Sequence, residues 1–222
     1  MKGREDFLAR CFCLNTWAMN ENLALIACAA GGYLVGSIPF GVIATRLGGA
    51  GDLRQIGSGS IGATNVLRTG RRDLALITVI GDAAKGAVAV LAAGALVSPL
   101  GAAIAGGAAF LGHLFSVWLR FRGGKGVATF FGILFAIAWP VAIAAGVTWL
   151  LVAGIFRISS LASLSAAALG PVWLLVLHQS SEPKLWLTVA MAVLIFARHH
   201  QNIRRLLAGD EPRIGATKAA TP

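Results

Sequence analysis

Three polar segments interrupt an otherwise apolar chain, and each carries residues suited to holding a phosphate. The first, residues 57–72, reads G-S-G-S-I-G-A-T-N-V-L-R-T-G-R-R. Gly57, Gly59 and Gly62 let the backbone turn tightly and point N–H groups outward. Ser58, Ser60, Thr64 and Asn65 add side-chain donors, and Arg68, Arg71 and Arg72 add positive charge. The segment matches no P-loop or dinucleotide fingerprint, and its plain alternative is a soluble turn between membrane helices. The second, R-F-R-G-G-K-G at 120–126, sets Lys125 beside Gly123 and Gly124. A cation against a flexible backbone nest fits a phosphate better than it fits membrane anchoring. The third, residues 198–205, places His199 and Asn202 three apart, on one helix face. A histidine there titrates near neutral pH and can take a proton or orient a hydroxyl. Arg204 and Arg205 read as lipid-head anchors, and the lone His113 as a buried hydrogen-bonding residue.

The composition says what surrounds these segments. Of 222 residues, 57% are hydrophobic and only 13% charged, with mean hydropathy +0.76. A soluble domain carries about 25% charged residues, so the long apolar runs place the chain in the membrane class. The formal net charge is +10. In a soluble protein that would suggest nucleic acid. Here the basic residues lie between apolar runs, so anionic lipid and the positive-inside rule account for them, and no nucleic-acid partner is implied. Twenty-eight glycines suit close helix approach in lipid. Cys11, Cys13 and Cys28 form no disulfide framework and no metal cluster.

The pattern predicts an all-α, polytopic membrane helix bundle of about seven transmembrane helices. Residues 1–21 are an N-terminal extension, either a short interfacial helix or an unstructured leader. Residues 22–207 form one integral-membrane domain, and 208–222 a polar tail expected to fray. The first helix, 22–47, contains G-S-I-P-F-G at 36–41, where Pro39 frees carbonyls that neighbouring helices and Ser37 must satisfy. A second run at 73–97 holds Asp82 and Lys85 on one face, which reads as an internal ion pair. Runs follow at 100–119, at 127–138 and 141–156 across Trp139-Pro140, at 161–177 and at 185–197. One long kinked helix is the competing reading of 127–156. Taken as two, the loops sort by charge: Arg54 to Arg72, Arg120 to Lys125, Arg157 and Arg198 to Arg205 share one side. That side is cytoplasmic, which puts the N-terminus outside and the C-terminus inside. The three phosphate-suited segments then lie at one membrane face.

Read together, the segments resemble the bacterial acyl-phosphate-dependent glycerol-3-phosphate 1-acyltransferase family, the small integral-membrane type. The matching pieces are G-S-I-P-F-G at 36–41, D-L-R at 52–54, G-S-G-S-I-G-A-T-N at 57–65, D-A-A-K-G at 82–86, G-H at 112–113, F-R-G-G-K-G-V-A-T at 121–129 and R-H-H-Q-N-I-R-R-L-L-A-G-D-E at 198–211. No single piece is specific, but in this order and spacing the set is. Ser60 stands where asparagine is usual, Ser116 where proline is common, and His200 where arginine is common.

The resemblance implies a multi-pass protein of the bacterial inner membrane with its active site at the cytoplasmic face. The implied reaction takes acyl phosphate and glycerol 3-phosphate to lysophosphatidic acid and inorganic phosphate, without cofactor, metal or obligate protein partner. The expected site has Ser58, Gly57, Gly59, Thr64, Asn65 and Arg68 on the acyl phosphate. Lys125 with the Gly123 and Gly124 backbone holds the other phosphate, and His199 with Asn202 orients the glycerol hydroxyl. Either His199 or the substrate's own phosphate accepts the proton. The rival classes are a small-anion transporter, for which Asp82 and Lys85 would line the path, and a structural subunit, which leaves the glycine-basic loops unexplained.

Overall fold

The computed structural model describes residues 2–57 and 59–215, with side chains from Asn20 onward. Among the described residues there is no strand. The helices are α1 (Lys2–Ser37), α2 (Phe40–Leu47), α3 (Ala63–Val66), α4 (Arg72–Leu96), α5 (Pro99–Leu114), α6 (Val127–Ile137), α7 (Trp139–Phe156), α8 (Ser159–Val176), α9 (Glu182–Arg198) and α10 (His200–Ala208). Five stretches are long and apolar enough to cross a membrane: Asn20–Leu47, Arg72–Leu96, Pro99–Leu119, Trp139–Phe156 and Ser159–Val176. Helices α6 and α9 are shorter, 11 and 17 residues. A helix is the form these apolar runs must take, because it satisfies its backbone internally where lipid cannot.

Helix starts follow local chemistry. Ser98 caps α5 by accepting the Gly101 N–H at 3.0 Å, with Pro99 in the first turn, where no N–H is needed. The run 127–156 is two helices, since Ala138 leaves helical geometry at φ −161° and ψ 76° and α6 packs against α7. The segment 1–21 is helical from Lys2 onward and continues without a break into the first crossing, since α1 runs from Lys2 to Ser37. After Ala208 the described residues, to Gly215, are tied down: the Ile214 N–H donates to the Arg157 carbonyl, and Arg157 Nη2 donates to the Ile214 carbonyl at 3.1 Å. Residues 209–215 therefore fold back toward the turn between α7 and α8.

Pro39 divides the first crossing into α1 and α2. The carbonyls at the break find side-chain partners from α4 and from the segment after α5. Lys85 Nζ donates to the Ile38 carbonyl at 2.8 Å, and Ser116 Oγ donates to the Ser37 carbonyl at 2.6 Å. Ser116 supplies this bond through its hydroxyl. Ser37 does not help, since its own hydroxyl has no partner among the described residues. Lys85 also donates to Asp82 Oδ1 at 2.7 Å, and both side chains are almost wholly buried. The expected ion pair is present, and it holds the break as well.

Helix α1 packs on α5, α4 on α5 and α6, α7 on α8, and α8 on α9. A Cβ at Gly36 would strike the Ala109 backbone, and one at Gly132 the Ala83 carbonyl, so these crossings bring backbones into contact. The main core gathers Phe110, Phe130, Ile133, Leu134, Leu174 and Ile195 between α5, α6, α8 and α9. A second cluster, Val42, Leu53, Ile61, Val66 and Leu74, roots the 53–66 loop on α2 and α4.

Lys85→Met leaves Asp82 charged and unpaired, and should cost about 3–5 kcal/mol. Asp82→Leu combined with Lys85→Met should recover most of that loss. Thermal unfolding in detergent compares the two.

Candidate active site

One cavity of about 380 Å³ opens among the loops. Its lining comes from Ser60 to Arg68, from Lys125 to Ala128, from Ser159 to Ser163, and from His199 to Pro212, with Asp82 and His113 among the deeper residues. Segments far apart in sequence thus meet at one place. Of the residues assigned to the site from sequence, Thr64, Asn65, Arg68, Lys125, His199 and Asn202 line it.

The centre is a chain of polar contacts. Lys125 Nζ donates to Asn202 Oδ1 at 2.6 Å, and Asn202 Nδ2 donates to Glu211 Oε1 at 2.5 Å. Ser160 Oγ donates to the same Oε1 at 2.7 Å, and Arg205 Nε donates to Oε2 at 2.7 Å. The order fixes the Asn202 amide: its oxygen must face the cation and its nitrogen the carboxylate. Burial, with Arg205, Arg68 and Arg198 nearby, pushes the Lys125 ammonium down to about 8, while Glu211 pulls the other way. Burial would raise the Glu211 carboxyl, but the bonds from Asn202, Ser160 and Arg205 outweigh it and hold the group low.

His199 sits at the bend between α9 and α10, so the last helix is not continuous as expected. It still shares the cavity with Asn202. Its Nδ1 lies 2.8 Å from the Ile195 carbonyl, which can only accept, so Nδ1 carries the proton and Nε2 keeps its lone pair. Burial first, then Lys125, hold this imidazole down to about 4, so it is neutral at pH 7.

Several expected roles change. The Gly123 and Gly124 N–H groups are not phosphate donors here: they donate to the Leu114 and His113 carbonyls, each at 3.0 Å. Their own carbonyls accept from Arg198, at 2.9 and 3.1 Å, and the Arg198 guanidinium lies 5.7 Å from the Phe115 ring centre. A Cβ at Gly124 would collide with the His113 ring, so this glycine pair exists for close packing under Lys125. One step on, Gly126 at the N-cap and Val127 and Ala128 in the first turn of α6 line the cavity, where a helix leaves its first N–H groups without intrahelical partners. Gly57 and Gly59 do not line it: the Gly59 N–H donates to the Ile56 carbonyl at 3.0 Å, and Gly57 lies against Asn65 and Arg68. Asn65 is chiefly a loop clamp, its amide donating to the carbonyls of Leu53, Ile56 and Ser60 at 3.1, 2.8 and 2.9 Å. Ser58 lies outside the described residues.

Arg205 is not a lipid anchor, because it is tied to Glu211 inside the cavity; Arg204 is exposed, as anchoring requires. The sequence reading gave Glu211 and Ser160 no role in the site. The signal was the acidic pair Asp210-Glu211 closing the 198–211 piece, passed over because it fell in the supposed tail.

Comparisons with known proteins agree with this geometry. Residues 26–209 match the glycerol-3-phosphate acyltransferase family. A glycerol-3-phosphate acyltransferase of Caulobacter vibrioides is 63% identical over 200 residues, covering 89% of this chain and 91% of that protein. One from Cereibacter sphaeroides is 60% identical over 193 residues, covering 87% and 91%. The crystal structure of PlsY (YgiH), an integral membrane glycerol 3-phosphate acyltransferase in its glycerol 3-phosphate form, superposes with TM-score 0.81 at 36% identity, covering 86% of this chain and 96% of that one. Its lysophosphatidic acid form gives TM-score 0.77 at 34% identity, covering 86% and 95%. With an all-helical fold, five apolar spans and one polar cavity fed by remote loops, this chain belongs to the integral membrane glycerol-3-phosphate acyltransferases.

Proposed function

We propose that this acyltransferase moves an acyl group from acyl phosphate to the 1-position of sn-glycerol 3-phosphate. The products are lysophosphatidic acid and inorganic phosphate, the first acylation of phospholipid synthesis. One observation carries the reading. A single cavity brings Arg68, Lys125 and Arg205 together with the part-buried carboxylate of Glu211, and its lining includes the apolar side chains of Val79, Phe131 and Trp149. Phosphate groups suit the cationic part, and an acyl chain suits the apolar lining. The solved relative with glycerol 3-phosphate and with lysophosphatidic acid supports the acceptor and the product.

In this mechanism Lys125 and the first-turn N–H groups of α6 hold one phosphate. Arg68 and Thr64, with Ser58 as a further donor, hold the acyl phosphate; Gly57, Gly59 and Asn65 shape that loop. His199 Nε2 accepts a hydrogen bond from the glycerol 1-hydroxyl, and Asn202 orients it. The hydroxyl oxygen attacks the acyl carbon, the carbon–oxygen bond to phosphate breaks, and the proton leaves with the phosphate. An imidazole at about 4 is a weaker base than a phosphate dianion, whose conjugate acid lies near 6, so the substrate takes the proton. Backbone N–H groups aimed at the carbonyl oxygen supply the electrostatic help, commonly about 3 kcal/mol per donor. No cofactor enters, and no obligate protein partner is needed.

The same reading sets the orientation. The cavity collects the ends of every basic loop, so the positive-inside rule puts it at the cytoplasmic face of the bacterial inner membrane. Seven crossings, with α6 and α9 included, then leave the N-terminus outside and the C-terminus inside.

Purified protein given acyl phosphate and glycerol 3-phosphate should release phosphate. Acyl-CoA and acyl carrier protein thioesters should not replace acyl phosphate; equal turnover with either overturns the donor assignment. Lys125→Ala should lower kcat/KM at least about 100-fold while leaving folded protein in the membrane. The ammonium must be charged to hold phosphate, and it loses its proton as pH rises through about 8. Above that point kcat/KM for glycerol 3-phosphate should fall about tenfold per pH unit. A profile flat to pH 10 would remove Lys125 from that role.

A further inference from the structure

Arg157 entered the sequence reading only as one positive charge on the inner side. The structure gives it more to do. It closes α7 in a left-handed conformation, φ 58°, a position that glycine usually fills. A large side chain kept in that conformation should serve a contact of its own, and one is present. Arg157 Nη2 donates to the Ile214 carbonyl at 3.1 Å, and the Arg157 carbonyl accepts the Ile214 N–H at 2.6 Å. A Cβ at Gly215 would sit 3.4 Å from Arg157 Nη2, so the clasp is close along the strap.

The strap begins at Gly209, which turns the chain out of α10 at φ 79°. Between that turn and the clasp lie Glu211 and Pro212, both in the cavity wall. Arg157 itself does not line the cavity. The segment is thus held at two ends, by α10 and by Arg157, with Glu211 between them. Ser160, three residues beyond Arg157, meets the Glu211 carboxylate directly at 2.7 Å. The start of α8 therefore receives the strap, and the carboxylate it carries sets the Asn202 amide that faces Lys125.

We propose that Arg157 is a positioning residue for acyl transfer: it clasps residues 211–214 against α8, so that Glu211 holds Asn202 and Lys125 in register. The proposal rests on the cavity being the site of acyl transfer. Freed from the clasp, the strap leaves the cations in place but lets their alignment drift. Attraction for the substrate anion then persists while turnover falls, which places the effect in kcat.

Arg157→Gly is the informative variant, because glycine suits φ 58° and keeps the backbone half of the clasp while removing the guanidinium. In detergent, its thermal stability should match the wild type. Its kcat should fall about tenfold, with KM for glycerol 3-phosphate within about twofold. Trypsin cleavage after Arg213, followed by mass spectrometry of the fragment starting at Ile214, should speed up severalfold. Wild-type kcat with unchanged cleavage overturns the proposal, and so does a fall in kcat with no gain in cleavage. Lys125→Ala run alongside tests the site separately. If it is as active as wild type, the site reading fails; if it is inactive while Arg157→Gly is normal, only the clasp fails.

Discussion

A half-buried ammonium needs an anion, and the cavity of this protein is organised around how incompletely that need is met. Lys125 reaches Asn202, not a carboxylate, and the one acid behind Asn202 is already bonded to Arg205 and Ser160. Arg68, Arg198 and Arg205 add further positive potential, which with burial holds the Lys125 proton loosely. Like charges held together in a place of reduced solvation are costly unless something neutralises them. In the proposed reaction a substrate phosphate does so, and its binding would relieve a tension built into the free protein.

That arrangement depends on polar bookkeeping deeper in the bundle. Asp82 lies ten residues past Arg72 on α4, about 15 Å along the helix at 1.5 Å per residue, yet it lines the same cavity as Lys125. A carboxylate at that depth persists because Lys85 pairs with it, and Lys85 is fixed in turn by the Ile38 carbonyl at the Pro39 break. The proline break, the ion pair and the cavity floor are therefore one connected device. His113 lies beside Asp82, 3.6 Å away, and its ring supports Gly124, which brings the floor to the loop that carries Lys125.

Much of this was legible in the residues. Alternating apolar runs and the one-sided sorting of Arg and Lys are enough to bring the 57–72, 120–126 and 198–205 segments together, because the bilayer leaves the loops only two places to be. The ion pair followed from spacing and the cost of charge in lipid. What sequence could not tell was which backbone donors were already spent. Gly123 and Gly124 looked like a nest, but their N–H groups close a turn onto the end of α5, and no local pattern announces that. Asn65 looked like a substrate donor, yet it clamps carbonyls as far back as Leu53, a contact set by the fold of the loop. Glu211 was hidden by the habit of treating a polar terminus as unstructured.

The corrected donors sharpen the chemistry. With the glycine pair used for packing, the groups proposed to face phosphate are the ammonium of Lys125, held by Asn202, and the first turn of α6, whose helix is rooted in the core by Phe130 and Ile133. Rigid dipoles stabilise developing charge better than mobile ones, since they need not reorganise as the acyl carbon becomes tetrahedral. In the proposed reaction the leaving group is already a good one and carries its own base, so the protein is asked mainly for alignment. That explains why a neutral, buried His199 suffices beside the hydroxyl. It also explains why so many contacts, from Arg198 on the Gly123 and Gly124 carbonyls to Glu211 on Asn202, hold other side chains in place without touching a reacting atom.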